Sequence, residues 1–239
     1  MSTFLYTPAP AVAARAYPDR SLRTASLIAG IALLLMAVLA SFGNFVALEP
    51  LVTPGDAART AKDIIGSEML FRSGIASLIV VAVLDIIVAG ALRTLFEAVN
   101  RDVSTMAAWF RVAYAAVFLV ALSQLVGAPM LLGDADQALR AIDAFTVIWH
   151  TGLVLFAIHL LLIGYLAYRS GFVAKIFGIL LVIAGMGYLT DGLGAVLAPD
   201  YSLNVARFTF VGEVAIIFWL LIRGSRLTTR HDAGEPNDI

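Results

Sequence analysis

"LIVVAVLDIIVAGAL", residues 78–92, sets one carboxylate, Asp85, among fourteen apolar residues. No side chain beside it in sequence can neutralise it. The apolar run extends from about 70 to 96, and a spanning helix needs about 20 mostly apolar residues. The stretch therefore reads as a transmembrane helix. What Asp85 faces inside it becomes the functional question.

The rest of the chain reads the same way. Its 239 residues are 61% hydrophobic and 14% charged, against roughly 25% charged in a soluble domain. Breaks at charge clusters leave six candidate spans, at about 22–47, 70–96, 105–132, 142–168, 173–198 and 203–224. A lipid-exposed backbone must satisfy its own hydrogen bonds, so the spans are expected to be helices. The expected fold is an all-α, polytopic membrane helical bundle. A polar leader, 1–21, carries Pro8, Pro10 and Pro18 and reads as no signal peptide, since the apolar stretch after it outruns the usual h-region. A polar tail, 225–239, is expected to be disordered.

Basic residues alternate between loops. Arg15, Arg20 and Arg23 precede the first span, and Arg93 and Arg101 lie between the second and third. Arg169 and Lys175 separate the fourth and fifth, and Arg223, Arg226 and Arg230 follow the sixth. The other loops are richer in acid, with Glu49, Asp56, Asp63 and Glu68, then Asp134, Asp136 and Asp143, then Asp200. The positive-inside rule puts both termini in the cytoplasm of a cell inner membrane protein, in agreement with an even span count. In the long first outer loop, Asp56 is a candidate N-cap for a short helix over about 57–66. Its Ala57, Ala61, Ile64 and Ile65 are expected to form one apolar face. That helix reads as a lid or as a simple connector.

Ionisable groups at membrane depth cost about 2.5–3.5 kcal/mol at mid-helix and usually face the bundle interior. At about 1.5 Å per residue, Asp85 lies about 12 Å from the boundary marked by Arg93. Arg111 sits a turn or two inside, and His159 and Glu213 each lie about 15 Å deep. Asp85, Arg111, His159 and Glu213 therefore form a candidate inner-to-middle cluster. Arg72, Gln124, His150, Asp191 and Arg207 form a candidate outer one. Helical phase agrees, because Gly74, Ala82, Asp85 and Ala89 share a face, as do Ala184, Gly187, Asp191 and Ala195, and Ser202, Ala206, Thr209 and Glu213. Small residues beside a carboxylate mark faces that pack closely on other helices.

Two long stretches carry a family likeness. They are "PGDAARTAKDIIGSEMLFRSGIASLIVVAVLDIIVAGALRTLFEAVNR" (54–101) and "HLLLIGYLAYRSGFVAKIFGILLVIAGMGYLTDGL" (159–193). They resemble a bacterial multi-pass membrane family catalogued as domain of unknown function 4386. The resemblance implies a six-helix integral membrane protein and no particular activity. Val173–Ala174 departs from the pattern, since a proline is expected near that helix start.

Three functions remain open. The first is binding or translocation of a small solute, ion or proton, which expects the carboxylates to line a hydrated cavity. A neutral Glu213 suits a proton carrier and equally an inert buried acid. The second is a non-catalytic scaffold or regulatory partner, which expects a dry, packed ion pair. The third is a membrane-embedded metal-dependent hydrolase, with His159, Asp85 and Glu213 as zinc ligands. There is no HExxH, P-loop or GxSxG motif. His150 and His159 lie nine residues apart and face opposite sides of a helix. Without cysteine there is no disulfide, thiolate metal site or Cys nucleophile. No cofactor or resident metal is expected. A net charge of -1 gives no field for nucleic acid, so the expected partners are the lipid bilayer and a small solute or ion.

Overall fold

Capping side chains and one glycine set the helix bounds in a computed structural model that describes residues 19–198, 205 and 211–224. The α-helices are α1 (Asp19–Ser41), α2 (Ala57–Gly66), α3 (Glu68–Phe96), α4 (Arg101–Gly127), α5 (Ala135–Arg169), α6 (Lys175–Leu197) and α7 (Val211–Ile222). Asp56, as expected, accepts from the amide of Arg59 at 2.9 Å. Asn100 does the same for Val103 at 3.0 Å and Asp134 for Gln137 at 3.1 Å. Each bond satisfies a first-turn amide that the helix itself cannot. After α5, Gly171 adopts φ 73, and Ser170 Oγ accepts from Val173 N at 3.1 Å. This turn enters α6 without a proline.

Among the described residues, five helices are long and apolar enough to cross a membrane: Ser21–Leu51, Glu68–Phe96, Arg101–Leu131, Ala135–Arg169 and Lys175–Leu197. α7 is a shorter apolar helix of 12 residues. Most of the stretch before it in the expected sixth span, with Ser202, Ala206, Arg207 and Thr209, lies outside the described residues, as do the tail 225–239 and most of the leader.

The helices close a ring. α1 packs on α3, α3 on α4, α4 on α5, α5 on α6, α6 on α7, and α7 on α1. Outside it lie exposed apolar side chains such as Ile31, Val83, Val120, Ile183 and Phe218. Apolar surface of this extent marks a face meant for lipid. The chain is thus a multi-span membrane protein. Glycines let the rods approach, since a Cβ on Gly178 would lie 2.7 Å from the Gly164 carbonyl and one on Gly185 2.9 Å from that of Ala157. Gly178, Gly185 and Gly192 thus make one side of α6 a packing surface against α5.

Two local features differ from expectation. The first span does not stay α-helical, because Phe42–Leu48 winds as a π-helical segment followed by a 3-10 turn, Glu49–Leu51. Asn44 Nδ2 donates to the Ala40 carbonyl at 2.9 Å there, and Gly43 is pressed against Leu78 and Ser77. In α2, Ala61 and Ile64 are buried and Ala57 half-buried, but Ile65 is 61% exposed. Thr60 takes the inner position instead, its Oγ1 accepting from Thr53 N at 3.0 Å. One step of about 100° carries Ile65 off that face. α2 rests chiefly on α5 and marks one end of the bundle.

Candidate functional site

Arg111, on α4, is the hub of the ring's interior. Its Nη2 lies 2.6 Å from Asp85 Oδ1 of α3, and both side chains are almost fully buried, at 3% and 2% exposure. Its Nη1 lies 3.1 Å from His159 Nε2 of α5. A guanidinium can only donate, so Nε2 must accept and the imidazole is neutral. Its proton then sits on Nδ1, which donates to the Ala107 carbonyl at 2.9 Å. Met36 Sδ of α1 lies 4.0 Å from Nη2, and the guanidinium stands 5.4 Å from the Phe156 ring centroid. Glu213 of α7 lies within electrostatic reach of Arg111 and Asp85, and its carboxyl group meets the Tyr188 hydroxyl of α6. Each helix of the ring thus sends at least one side chain to the centre, and α5 sends two, His159 and Phe156.

Two atoms of this cluster are out of solvent and have neither a hydrogen-bond nor an ion-pair partner among the described residues: Arg111 Nε and Glu213 Oε1. Asp85 Oδ1 is engaged by the close ion pair with Arg111 Nη2. Buried polar atoms are paired in the great majority of cases, so two orphans on two helices of one cluster are unusual.

The residues of the expected inner cluster thus stand together, Asp85, Arg111 and His159 in contact and Glu213 beside them. The expected outer set is scattered. Arg72 is exposed and pairs with Glu68, one turn back on its own helix, at 2.8 Å. Gln124 is half-buried on α4. His150 is exposed on α5 and within electrostatic reach of Asp191 on α6. Asp191 Oδ1 accepts from Val205 N at 3.0 Å, so it holds the chain beyond α6. Arg207 lies outside the described residues. The zinc arrangement loses its nitrogen ligand, because both ring nitrogens of His159 are engaged within the protein.

Sequence reasoning passed over the aromatic column above the hub. At the α2 end a cavity of about 490 Å³ is lined by residues that include Asn44, Glu49, Phe145, Thr146 and Trp149. Trp149 Nε1 donates to Tyr114 Oη at 3.1 Å. Tyr114 packs on Phe156 with centroids 5.0 Å apart, and Phe156 covers both His159 and Arg111. Asp85 itself does not line the cavity. At the opposite end Phe172 packs between Phe96 and Trp219, at 5.9 and 6.2 Å, and Ser26 Oγ donates to the Leu220 carbonyl at 2.9 Å. Helix spacing held the missing signal. Tyr114 follows Arg111 by one turn, and Phe156 precedes His159 by one turn, so each shares a face with a singled-out charge.

A closed ring of apolar helices around a buried, partly unsatisfied ion cluster defines a polytopic membrane protein with an internal ionisable site. The chain belongs to the DUF4386 family, described as a domain of unknown function, whose model matches residues 28–224. It is also similar to an uncharacterized protein of the archaeon Archaeoglobus fulgidus. The two are 34% identical over 154 residues, which is 64% of this chain and 85% of the relative. The bacterial origin that the sequence resemblance implies is not shown by this relative, which is archaeal. No solved structure matches the chain.

Proposed function

We propose that this protein binds or translocates a small solute, ion or proton through the buried cluster of Asp85, Arg111, His159 and Glu213. The observation that carries the reading is the two orphaned polar atoms, Arg111 Nε and Glu213 Oε1, at the centre of the ring. A pair kept only to fix helix register gains nothing from unmet hydrogen-bonding capacity, which costs about 1–3 kcal/mol per buried group. A passing ligand or proton can use it. The column Trp149–Tyr114–Phe156 supports a route from the cavity at the α2 end to Arg111. The aromatic closure at the other end fits a state open on one side only.

The proposal includes the topology. Six spans, with α7 completing the sixth, place both termini in the cytoplasm of a cell inner membrane. Ring closure between α7 and α1 supports that count. Arg93, Arg101, Arg169, Lys175 and Arg223 gather at the end opposite α2, as the positive-inside rule requires of a cytoplasmic face.

The experiment is complementation of a deletion strain, scoring uptake, efflux and proton flux. Asp85→Asn and Glu213→Gln variants should reach the membrane folded and fail to restore the lost phenotype. Full restoration by both removes the translocation reading. A scaffold in which the charges fix helix register is the second reading, favoured by the near-complete burial of Asp85 and Arg111.

A further inference from the structure

The cavity at the α2 end has a chemistry of its own, separate from the buried cluster. Among its described lining residues there is no Lys, Arg or His. Its polar side chains offer acceptors. Trp149 commits its N–H to Tyr114 Oη. Asn44 turns its amide nitrogen to the Ala40 carbonyl, leaving Oδ1. Thr146 Oγ1 approaches the Ile142 carbonyl at 3.5 Å as a donor, leaving its lone pairs. Glu49 is the single ionisable residue among the described lining residues. The rest is apolar or aromatic, with the Phe145 and Trp149 rings stacked at 5.6 Å.

An anion entering this space would meet a carboxylate and no spare cation. A purely apolar guest would strip water from Glu49 and return nothing. A cation with apolar substituents meets a counter-charge, acceptor oxygens and two aromatic side chains, the combination that recognises ammonium groups. The volume of about 490 Å³ suits a small organic molecule. A second observation falls on the same wall. The π-helical segment Phe42–Leu48, which supplies Asn44 and Leu48, breaks the α-helical pattern where the cavity opens. Such departures from regular winding recur at functional sites.

We infer that this cavity is a binding site for a small organic cation, an alkylammonium group carrying a short apolar arm. The inference does not depend on translocation, since a site of this kind serves a sensor equally well.

Calorimetry on the full chain in an uncharged maltoside detergent tests it, with hexyltrimethylammonium and hexanoate as probes of matched chain length. The expected result is saturable binding of the cation, none of the anion, and a loss of about tenfold or more in affinity in Glu49→Gln. Asp136→Asn, which removes an exposed carboxylate at the same end but outside the cavity lining, should leave the affinity unchanged. Glu49 is exposed, so its substitution should spare the fold, and an unaltered melting temperature confirms that. Equal binding of hexanoate, an equal loss in Asp136→Asn, or no saturable binding of the cation would each overturn the inference. None of these results bears on the Glu213→Gln complementation.

Discussion

Arg111 donates to Nε2 of His159 across the α4–α5 interface at 3.1 Å, while the other ring nitrogen, Nδ1, lies 2.9 Å from the Ala107 carbonyl. The directionality of a guanidinium leaves one tautomer. Nitrogen-15 spectra of protein labelled at histidine should show a His159 ring protonated on Nδ1 and bare on Nε2 at neutral pH. A doubly protonated ring, or a proton on Nε2, is incompatible with this contact.

The Asp85–Arg111 pair makes a prediction about coupling. Asp85→Leu or Arg111→Met alone strands a buried charge and should destabilise the bundle by about 3–5 kcal/mol. Combining the two removes both charges and should cost clearly less than the sum of the single changes. Reversible unfolding in mixed micelles reads out the cycle. Additive losses would mean that the two side chains do not meet.

Gly164 and Gly90 differ in a way their shared residue type hides. A Cβ on Gly164 would fall 2.8 Å from the Gly178 carbonyl, a backbone atom that cannot swing away, whereas one on Gly90 meets nothing within 4 Å. Gly164→Val should therefore lower stability by about 1–3 kcal/mol through overpacking. Gly90→Ala should leave the melting temperature unchanged or slightly raised, because Ala is the better helix former by up to about 1 kcal/mol.

Topology is open to a direct chemical reading because the chain has no cysteine of its own. Single variants Asp136→Cys, beside the cap of α5, and Ser170→Cys, in the turn before α6, lie at opposite ends of the bundle. An impermeant maleimide added to intact cells should label the first and spare the second. The reverse pattern would invert the proposed orientation.

The bundle was legible because hydrocarbon imposes so simple a rule. Twenty-odd apolar residues between charge clusters can do little but form a helix, and the phase of Ala82, Asp85 and Ala89 already turned Asp85 inward. All three are buried in the structure. Depth reckoning along the rods put Asp85, Arg111, His159 and Glu213 in one inner-to-middle cluster, and there Arg111 touches Asp85 and His159. The outer set was less legible, since depth alone does not say which way a side chain near a helix end points. Arg72 found Glu68 on its own helix, a local partner at the four-residue spacing that favours such pairs. The π-helical turn at Phe42–Leu48 left no sequence mark beyond Asn44 and Gly43. It depends on how closely α1 lies on α3, and that is a tertiary fact. The aromatic column was hidden for a related reason, since apolar rings in an apolar helix carry no contrast until the charges beneath them are placed.

Glu213 offers the most direct test of whether the centre of the ring serves passage or only packing. A single cysteine there, Glu213→Cys, can be challenged with a small cationic methanethiosulfonate in proteoliposomes. Asp136→Cys serves as the exposed reference and Ala82→Cys as the packed one. If the cluster lies on a solute path, opening motions must wet it. The residue 213 thiol should then react steadily, more slowly than the exposed reference and clearly faster than the packed one. A thiol at 213 as inert as the one at 82, in protein whose 136 thiol reacts fully, would contradict translocation and leave the buried charges as a structural lock.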